Sequence, residues 1–427
     1  GWTLLDGARE PLPEQVWLFP GQGTQSAAMG LRLAERYPEF GGLYLGLLDK
    51  AAALLSIEPS ALIDSVKRPE QLSTLRLQPI LYAAQTALGV WLRRLGCRPA
   101  ALCGFSLGEF AAAAVAGVFS PEEGMELVVA RARLMDAMPR GAVFAANCRQ
   151  GLDEVPDWLW RVSELSPGVW TLAAAEDRSQ DAEDWLAARG FSYKRVAVSH
   201  AFHTPLIEPA ARAFGELLQA YALRPAECAV YSTALGRKLA ADEMRDPQYW
   251  VEQMLGQVRL GAALRQAEAA HPASLYAQIG AGADLLQNAR KWLGLGGGRL
   301  APTLGTGGAE QEESAALQFI GQAWTHGAPI EWARLRGPAA AARAHLPGHA
   351  FERRVCAPPP RAAAPLTASE LFFGSRYYGM EWERVEAPAR DAAGEEAAPA
   401  GWILCRQVTE RERALAAAVG WGDGACA

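Results

Sequence analysis

The sequence holds no paired cysteines. Its seven Cys (97, 103, 148, 228, 356, 405, 426) are scattered over 427 residues and none stand in a CxxC spacing. That excludes a disulfide framework and a cysteine-built zinc site, and it leads to the expectation of a reduced, cytoplasmic protein with no metal. No uninterrupted apolar run reaches the ~20 residues of a membrane-spanning helix. There is no basic excess either: 41 Lys and Arg stand against 47 Asp and Glu, a net charge of −6, without the basic footprint of a nucleic-acid binder. The opening Gly1-Trp2-Thr3-Leu4-Leu5 has neither the basic nor the apolar region of a secretory leader, so none is expected. Histidine is scarce, with six residues in all, which narrows the search for a catalytic base.

What is present is globular. Half the residues are hydrophobic and 21% are charged, and at ~150 residues per domain the length implies two or three domains. Residues 1–15 carry Pro11 and Pro13 and read as an upstream linker. Val16-Trp17-Leu18-Phe19 is a short buried strand stopped by Pro20-Gly21. Helices are expected over 25–55, broken near Pro38 and Gly41-Gly42, and over Gln78 to Leu95. Ala100-Ala101-Leu102-Cys103 is a second strand, followed by an Ala-rich helix from Glu109. A helix over 121–138 ends at Pro139. Residues 142–198 then alternate strand, helix (152–164), strand, helix (182–188), strand, the texture of a small inserted α+β unit. Longer helices and short strands return after His203, with a helix over 247–269. A Gly-rich segment from Thr303, a helix over 314–326, a Pro/Ala/Arg-rich stretch and an aromatic-rich stretch (371–384) follow. The chain is expected to be cut from something longer.

Gly104-Phe105-Ser106-Leu107-Gly108 matches G-x-S-x-G, a strand-to-helix elbow that exposes a serine Oγ and aims the next amide, that of Leu107, at a developing oxyanion. The same residues would also serve as a Gly-Ser turn with Ser106 capping the helix. A serine nucleophile needs a base. His200-Ala201-Phe202-His203 lies at a strand end, where catalytic groups gather, whereas His271, His326, His345 and His349 sit beside helix ends or in the linker. Phe19-Pro20-Gly21-Gln22-Gly23-Thr24-Gln25 lacks the Lys-Ser/Thr and the spacing of phosphate loops, and a second oxyanion-hole amide from Gln22 fits it better. Arg131, in an otherwise apolar helical stretch, is either a buried clamp for a carboxylate or a surface Arg with a snorkelling stem. Together the four constellations point to acyl transfer.

The set resembles the acyltransferase domain of modular type I polyketide synthases, related to malonyl-CoA:acyl-carrier-protein transacylases. The resemblance spans about residues 16–360 and rests on FPGQGTQ, GFSLGEF, RARLM, VSHAFHTPLIEP, YWVEQMLGQVRL and LPGHAFERRV. It implies an α/β fold: a hydrolase-like large subdomain (16–135 and 204–305) interrupted by a small ferredoxin-like subdomain (136–203). A linker (306–365) and the start of a following domain (366–427), similar to a ketoreductase structural subdomain, complete the chain. It implies Ser106 as the acylated nucleophile, His203 as general base and acid, and Gln22 and Leu107 as oxyanion-hole donors. Arg131 would hold the carboxylate of a malonyl group, and the Gln253 carbonyl would orient the histidine. Phe202, Phe105 and His200 would shape the acyl pocket. The HAFH form, with bulky Phe202, is similar to the malonyl-selective type. Phe105 stands where the family has His, and Ala173 to Asp177 match the family's small subdomain poorly, so a shortened insertion is expected. The implied partners are malonyl-CoA, an acyl carrier protein, a neighbouring ketosynthase and downstream domains, with no membrane and no nucleic acid. CoA enters as part of the thioester substrate and no bound cofactor is needed.

Two other readings stand beside this one. An α/β-hydrolase thioesterase would need an Asp or Glu completing a triad, with Asp153 and Asp177 as candidates. A degenerate scaffold domain would fit the Phe105 departure and the shortened insertion.

Overall fold

The structure, a computed structural model, describes residues 14–68, 73–149, 151–152, 154–305 and 309–336. The readings made for 1–13 and for 337–427, including the aromatic-rich stretch and the start of a following domain, lie outside the described residues. In chain order the elements are β1 (Gln15–Phe19), α1 (Leu31–Arg36), α2 (Pro38–Leu55), α3 (Pro59–Lys67), α4 (Thr74–Arg94), β2 (Ala101–Gly104), α5 (Gly108–Val115) and α6 (Pro121–Asp136). Next come β3 (Gly141–Asn147), β4 (Trp160–Ser166), β5 (Val169–Ala175), α7 (Ser179–Ala188) and β6 (Ser192–Arg195). The chain then returns through α8 (Glu208–Leu218), β7 (Ala229–Ser232), β8 (Arg237–Lys238), α9 (Pro247–Leu255) and α10 (Leu260–Ala270). It ends with β9 (Leu275–Ala281), α11 (Asp284–Leu293), β10 (Leu300–Leu304), α12 (Ala309–Thr325) and α13 (Trp332–Arg336).

Six strands form the large sheet in the order β10-β9-β1-β2-β7-β8, all parallel except the β7–β8 hairpin. A parallel sheet is covered on both faces, which explains why β1 and β2 are continuous apolar runs with every residue buried. Trp17 and Phe19 face one side, packed with α2, α4, α5 and α6, while Val16 and Leu18 face α10 and α11. The nucleophile motif lies where β2 leaves the sheet at its carboxyl edge, the usual place for a site in such sheets.

The inserted unit is a separate antiparallel sheet in the order β4-β5-β3-β6, with α7 packed on it through Ala182 and Leu186. This is the ferredoxin-like strand order. The helix expected over 152–164 is not there. Residues 160–166 form β4, and the described residues before it are loop. Pro156 removes a helical donor and biases the residue before it toward extended backbone. The insertion therefore keeps the four strands with α7 as the one α-helix among its described residues.

Two other expectations shift. Helix α2 runs through Gly41-Gly42 unbroken, because Gly41 lets α1 approach: a Cβ there would lie 2.3 Å from the Ala34 carbonyl oxygen. The helix expected over 247–269 is instead two, α9 and α10, parted by an extended Gly256. The core also continues past the boundary expected at 305. Ala316, Phe319, Ile320 and Ala323 of α12 are buried in the same cluster as Trp17. Glu312 of α12 accepts from the Gly30 amide (3.0 Å) and the Ser26 hydroxyl (3.3 Å) just ahead of α1.

Candidate active site

The elbow is built by close approach. Gly108 sits where a Cβ would lie 2.0 Å from the Phe19 carbonyl oxygen, so only glycine lets α5 start against β1. Gly21 meets the Phe105 carbonyl in the same manner, at 2.9 Å, which brings the 20–22 loop onto the elbow. Ser106 adopts φ 54°, a left-handed conformation that costs a non-glycine residue on the order of 1–3 kcal/mol and marks functional positions. Helix α5 is capped at Leu107 with no side-chain cap. The Ser106 hydroxyl is thus not engaged at the helix end. It lies 2.7 Å from His203 Nε2.

His203 is itself left-handed, with φ 61°. Its Nδ1 donates to the Gly256 carbonyl at 3.1 Å, which fixes the tautomer that leaves Nε2 to accept from serine. The Gln253 carbonyl, expected to be the orienting group, contributes in the same sense but less than Gly256. The Gln253 side chain instead braces the elbow, its Nε2 donating to the Ser106 carbonyl at 2.7 Å. Burial, and then the positive charge of Arg131, push the His203 imidazole down to about 3, so the ring is a neutral base. Of the carboxylates weighed for a triad, Asp177 is exposed in the short 3-10 turn after β5 and Asp153 lies outside the described residues.

Arg131 is buried, 1% exposed, on α6. That helix begins with a Ser120/Glu123 capping box and Pro121 at its first position. The guanidinium lies over the Phe110 ring at 5.4 Å, and its Nη1 donates to Gln78 Oε1 at 2.6 Å. Its Nε is buried with no partner, and among the described residues no carboxylate is within ion-pair distance. Burial lowers this guanidinium to about 9, opposed by Glu109, and it remains a cation at neutral pH. Burial removes the surface alternative for Arg131.

Gln22 and Leu107 flank the elbow, and among the described residues their amides make no backbone hydrogen bond. His200 is buried; its ring nitrogens engage Ser199 Oγ (2.8 Å) and the Met138 carbonyl (3.1 Å), which pins the 199–203 loop to the end of α6. Phe202 is half-buried and tilts against His200 with ring centroids 6.0 Å apart. Phe105 is half-buried and packs on the Val16/Leu18 side of the sheet. A cleft of about 770 Å³ opens beside these residues, lined by Gln22, Thr74, Leu77, Arg140, Arg195 and His200.

Three residues of the site escape a reading of the sequence. Gln78 is a buried polar residue on the largely apolar face of α4, with Gln85 two turns further on. Glu109 is a lone charge in the Ala-rich α5, 1% exposed. It accepts from the amides of Thr233 (2.8 Å) and Ala234 (3.1 Å), the Thr233 hydroxyl (2.8 Å), the Ser232 hydroxyl (3.4 Å) and the Tyr249 hydroxyl. Gly256 is hidden inside an apparent helix. The usable signal for the first two is a polar group on a face otherwise reserved for the core.

Comparison with known proteins agrees with this geometry. The family model described as "Acyl transferase domain" matches residues 16–326. Polyketide synthase GfsB of Streptomyces halstedii is 33% identical over 365 residues, covering 82% of this chain and 6% of its own length. The phenolphthiocerol synthesis polyketide synthase type I Pks15/1 of Mycobacterium marinum is 30% identical over 400 residues, 91% of this chain and 18% of its own. The chain thus spans less than a fifth of the length of these curated relatives. Among solved structures, the acyltransferase domain from the second module of the salinomycin polyketide synthase is 29% identical with a TM-score of 0.66, covering 76% of each chain.

Proposed function

Because this chain belongs to the acyl transferase domain family and is an acyltransferase, we propose that it moves a malonyl unit from CoA to the phosphopantetheine thiol of an acyl carrier protein. The observation that carries the reading is a buried guanidinium with no carboxylate partner next to a Ser–His dyad. Such a cation calls for a carboxylate carried in on the acyl group.

The chemistry is ping-pong. Ser106 Oγ attacks the thioester carbon as His203 Nε2 takes its proton. The tetrahedral oxyanion is stabilised by the amides of Gln22 and Leu107. The C–S bond breaks, CoA leaves with the proton from His203, and a malonyl ester remains on Ser106. The carrier thiol then attacks that ester; His203 takes the thiol proton and returns it to Ser106 Oγ as the C–O bond breaks. Arg131 holds the free carboxylate through both halves. No bound cofactor or metal takes part in this scheme. Phe202 favours malonyl over methylmalonyl, and since one methyl group is worth only about 1–3 kcal/mol in a pocket, the preference is leaky. The chain acts beside a ketosynthase and downstream domains of one cytoplasmic polyketide synthase. The thioesterase reading is disfavoured by the carbonyl, in place of a carboxylate, that receives His203 Nδ1.

The test is intact mass spectrometry after brief incubation with malonyl-CoA and methylmalonyl-CoA in competition. A malonyl adduct on the wild type and none on Ser106→Ala is expected. A mainly methylmalonyl adduct would overturn the assignment to Phe202. Rapid CoA release without an adduct would favour hydrolysis, and neither adduct nor release would favour a scaffold.

A further inference from the structure

A buried arginine is ordinarily neutralised by an acidic side chain in contact with it. Arg131 is held by a carboxamide instead. Gln78 is fully buried, and its Oε1 accepts from Arg131 Nη1 at 2.6 Å. The acidic group that does act on Arg131 electrostatically, Glu109, is already saturated by donors from Ser232, Thr233, Ala234 and Tyr249. The guanidinium is thereby fixed in direction by a neutral partner, and among the described residues no carboxylate touches it.

Gln78 also reaches the other half of the site. Its Nε2 donates to Gln22 Oε1 at 3.1 Å and approaches the Met135 sulfur at 3.5 Å. Two helical turns along α4, Gln85 donates to the Pro20 carbonyl at 2.8 Å. Both glutamines therefore hold the 20–22 loop, and among the described residues Gln78 is the one that also bonds to the cation. Gln78 thus links the carboxylate-recognising side of the site to its oxyanion side.

We propose that Gln78 is a specificity-determining positioning residue, which orients Arg131 through a neutral amide so that only an acyl group bringing its own carboxylate completes the charge balance. This rests on the reading above that Arg131 receives that carboxylate. An acyl group without one leaves the guanidinium with no carboxylate in contact. A carboxylate built in at position 78 would cancel the demand and remove the preference for anionic acyl groups.

The experiment compares single-turnover acylation of Ser106 in the full chain by malonyl-CoA and by acetyl-CoA, read by intact mass as a ratio within one sample. The ratio is insensitive to the fraction of protein folded. Gln78→Glu, which preserves shape, is expected to lower the malonyl-to-acetyl ratio at least about tenfold, a change worth ~1.4 kcal/mol. Gln78→Met, which keeps the volume but loses the hydrogen bonds, is expected to lower it in the same direction with a raised KM for malonyl-CoA. A ratio within about twofold of wild type in the variant or variants that fold would overturn the proposal, because a merely structural role slows both donors alike. Should Gln78→Glu not fold, the Gln78→Met ratio decides. Arg131→Ala run in parallel separates the two readings. An unchanged ratio there overturns the carboxylate role of Arg131, whereas a collapsed ratio there with unchanged Gln78 variants overturns the role of Gln78 alone.

Discussion

His203, the proposed base, is kept neutral by burial. With the folded imidazole at about 3 and the free one near 6.5, the neutral ring is present throughout the working range. Acylation of Ser106 is therefore expected to stay level from pH 8 to about 5.5, with no limb near the ordinary histidine value. Two buried carboxyls are shifted toward this window: Glu312, which burial pushes up to about 7, and Glu109, which burial also raises. The same rate profile on Glu312→Gln and on Glu109→Gln separates them from the histidine, and a limb near 6.5 surviving in both variants would contradict the assignment. Stability carries the opposite sign. The unfolded ring takes a proton as pH falls below about 6.5 and the folded ring does not until about 3, so the depressed histidine makes folding less favourable across that interval in acid. Serine, histidine and arginine are legible in the sequence because each stands in a local pattern whose chemistry is explicit. Gln78 is not, since nothing local distinguishes a glutamine that faces a cation from one that faces water.

Glu109 ties three elements together. From α5 it receives donors at the end of β7 and the Tyr249 hydroxyl on α9, the helix whose end supplies the Gly256 carbonyl and Gln253. Replacing Glu109 by Gln substitutes two donors for an acceptor oxygen among groups that all donate. A loss of about 1–3 kcal/mol in urea unfolding is expected, with a fall in the acylation rate as α9 shifts. Unchanged stability would mean that these hydrogen bonds are replaced without cost. At this scale much of the fold is readable: β1, β2, β3, β5, α4 and α6 follow from apolar runs and caps. The failures have physical causes. Over 152–164 a helical spacing of apolar residues is outweighed by Pro156 and by pairing with β5. At Gly256 the break arises from extended backbone that sequence spacing does not display. The boundary at 305 fails because Gly-rich composition marks a turn, while burial of Phe319 and Ile320 decides where the core stops.

The inserted sheet is tied to the large subdomain through the segment after Gly256 and through α11. The Val258 amide donates to the Val162 carbonyl at 2.8 Å and Trp292 Nε1 to the Leu165 carbonyl at 3.1 Å. Trp292→Phe removes the second tie. Hydrogen exchange is expected to speed up over 160–166 and to stay slow in β1, β2 and β9, and uniform acceleration would show that the two sheets open together. The order of the working parts along the chain has a consequence of its own. Ser106 and His203 lie 97 positions apart with the whole inserted sheet between them, and Gly256 comes 53 positions after the histidine. At about 5–20 residues per second, a growing chain carries its serine for roughly eight to thirty seconds before the carbonyl that aims its base exists. The serine and the carbonyl that orients its histidine thus come from segments made at different times, and they meet only once the chain has passed Gly256.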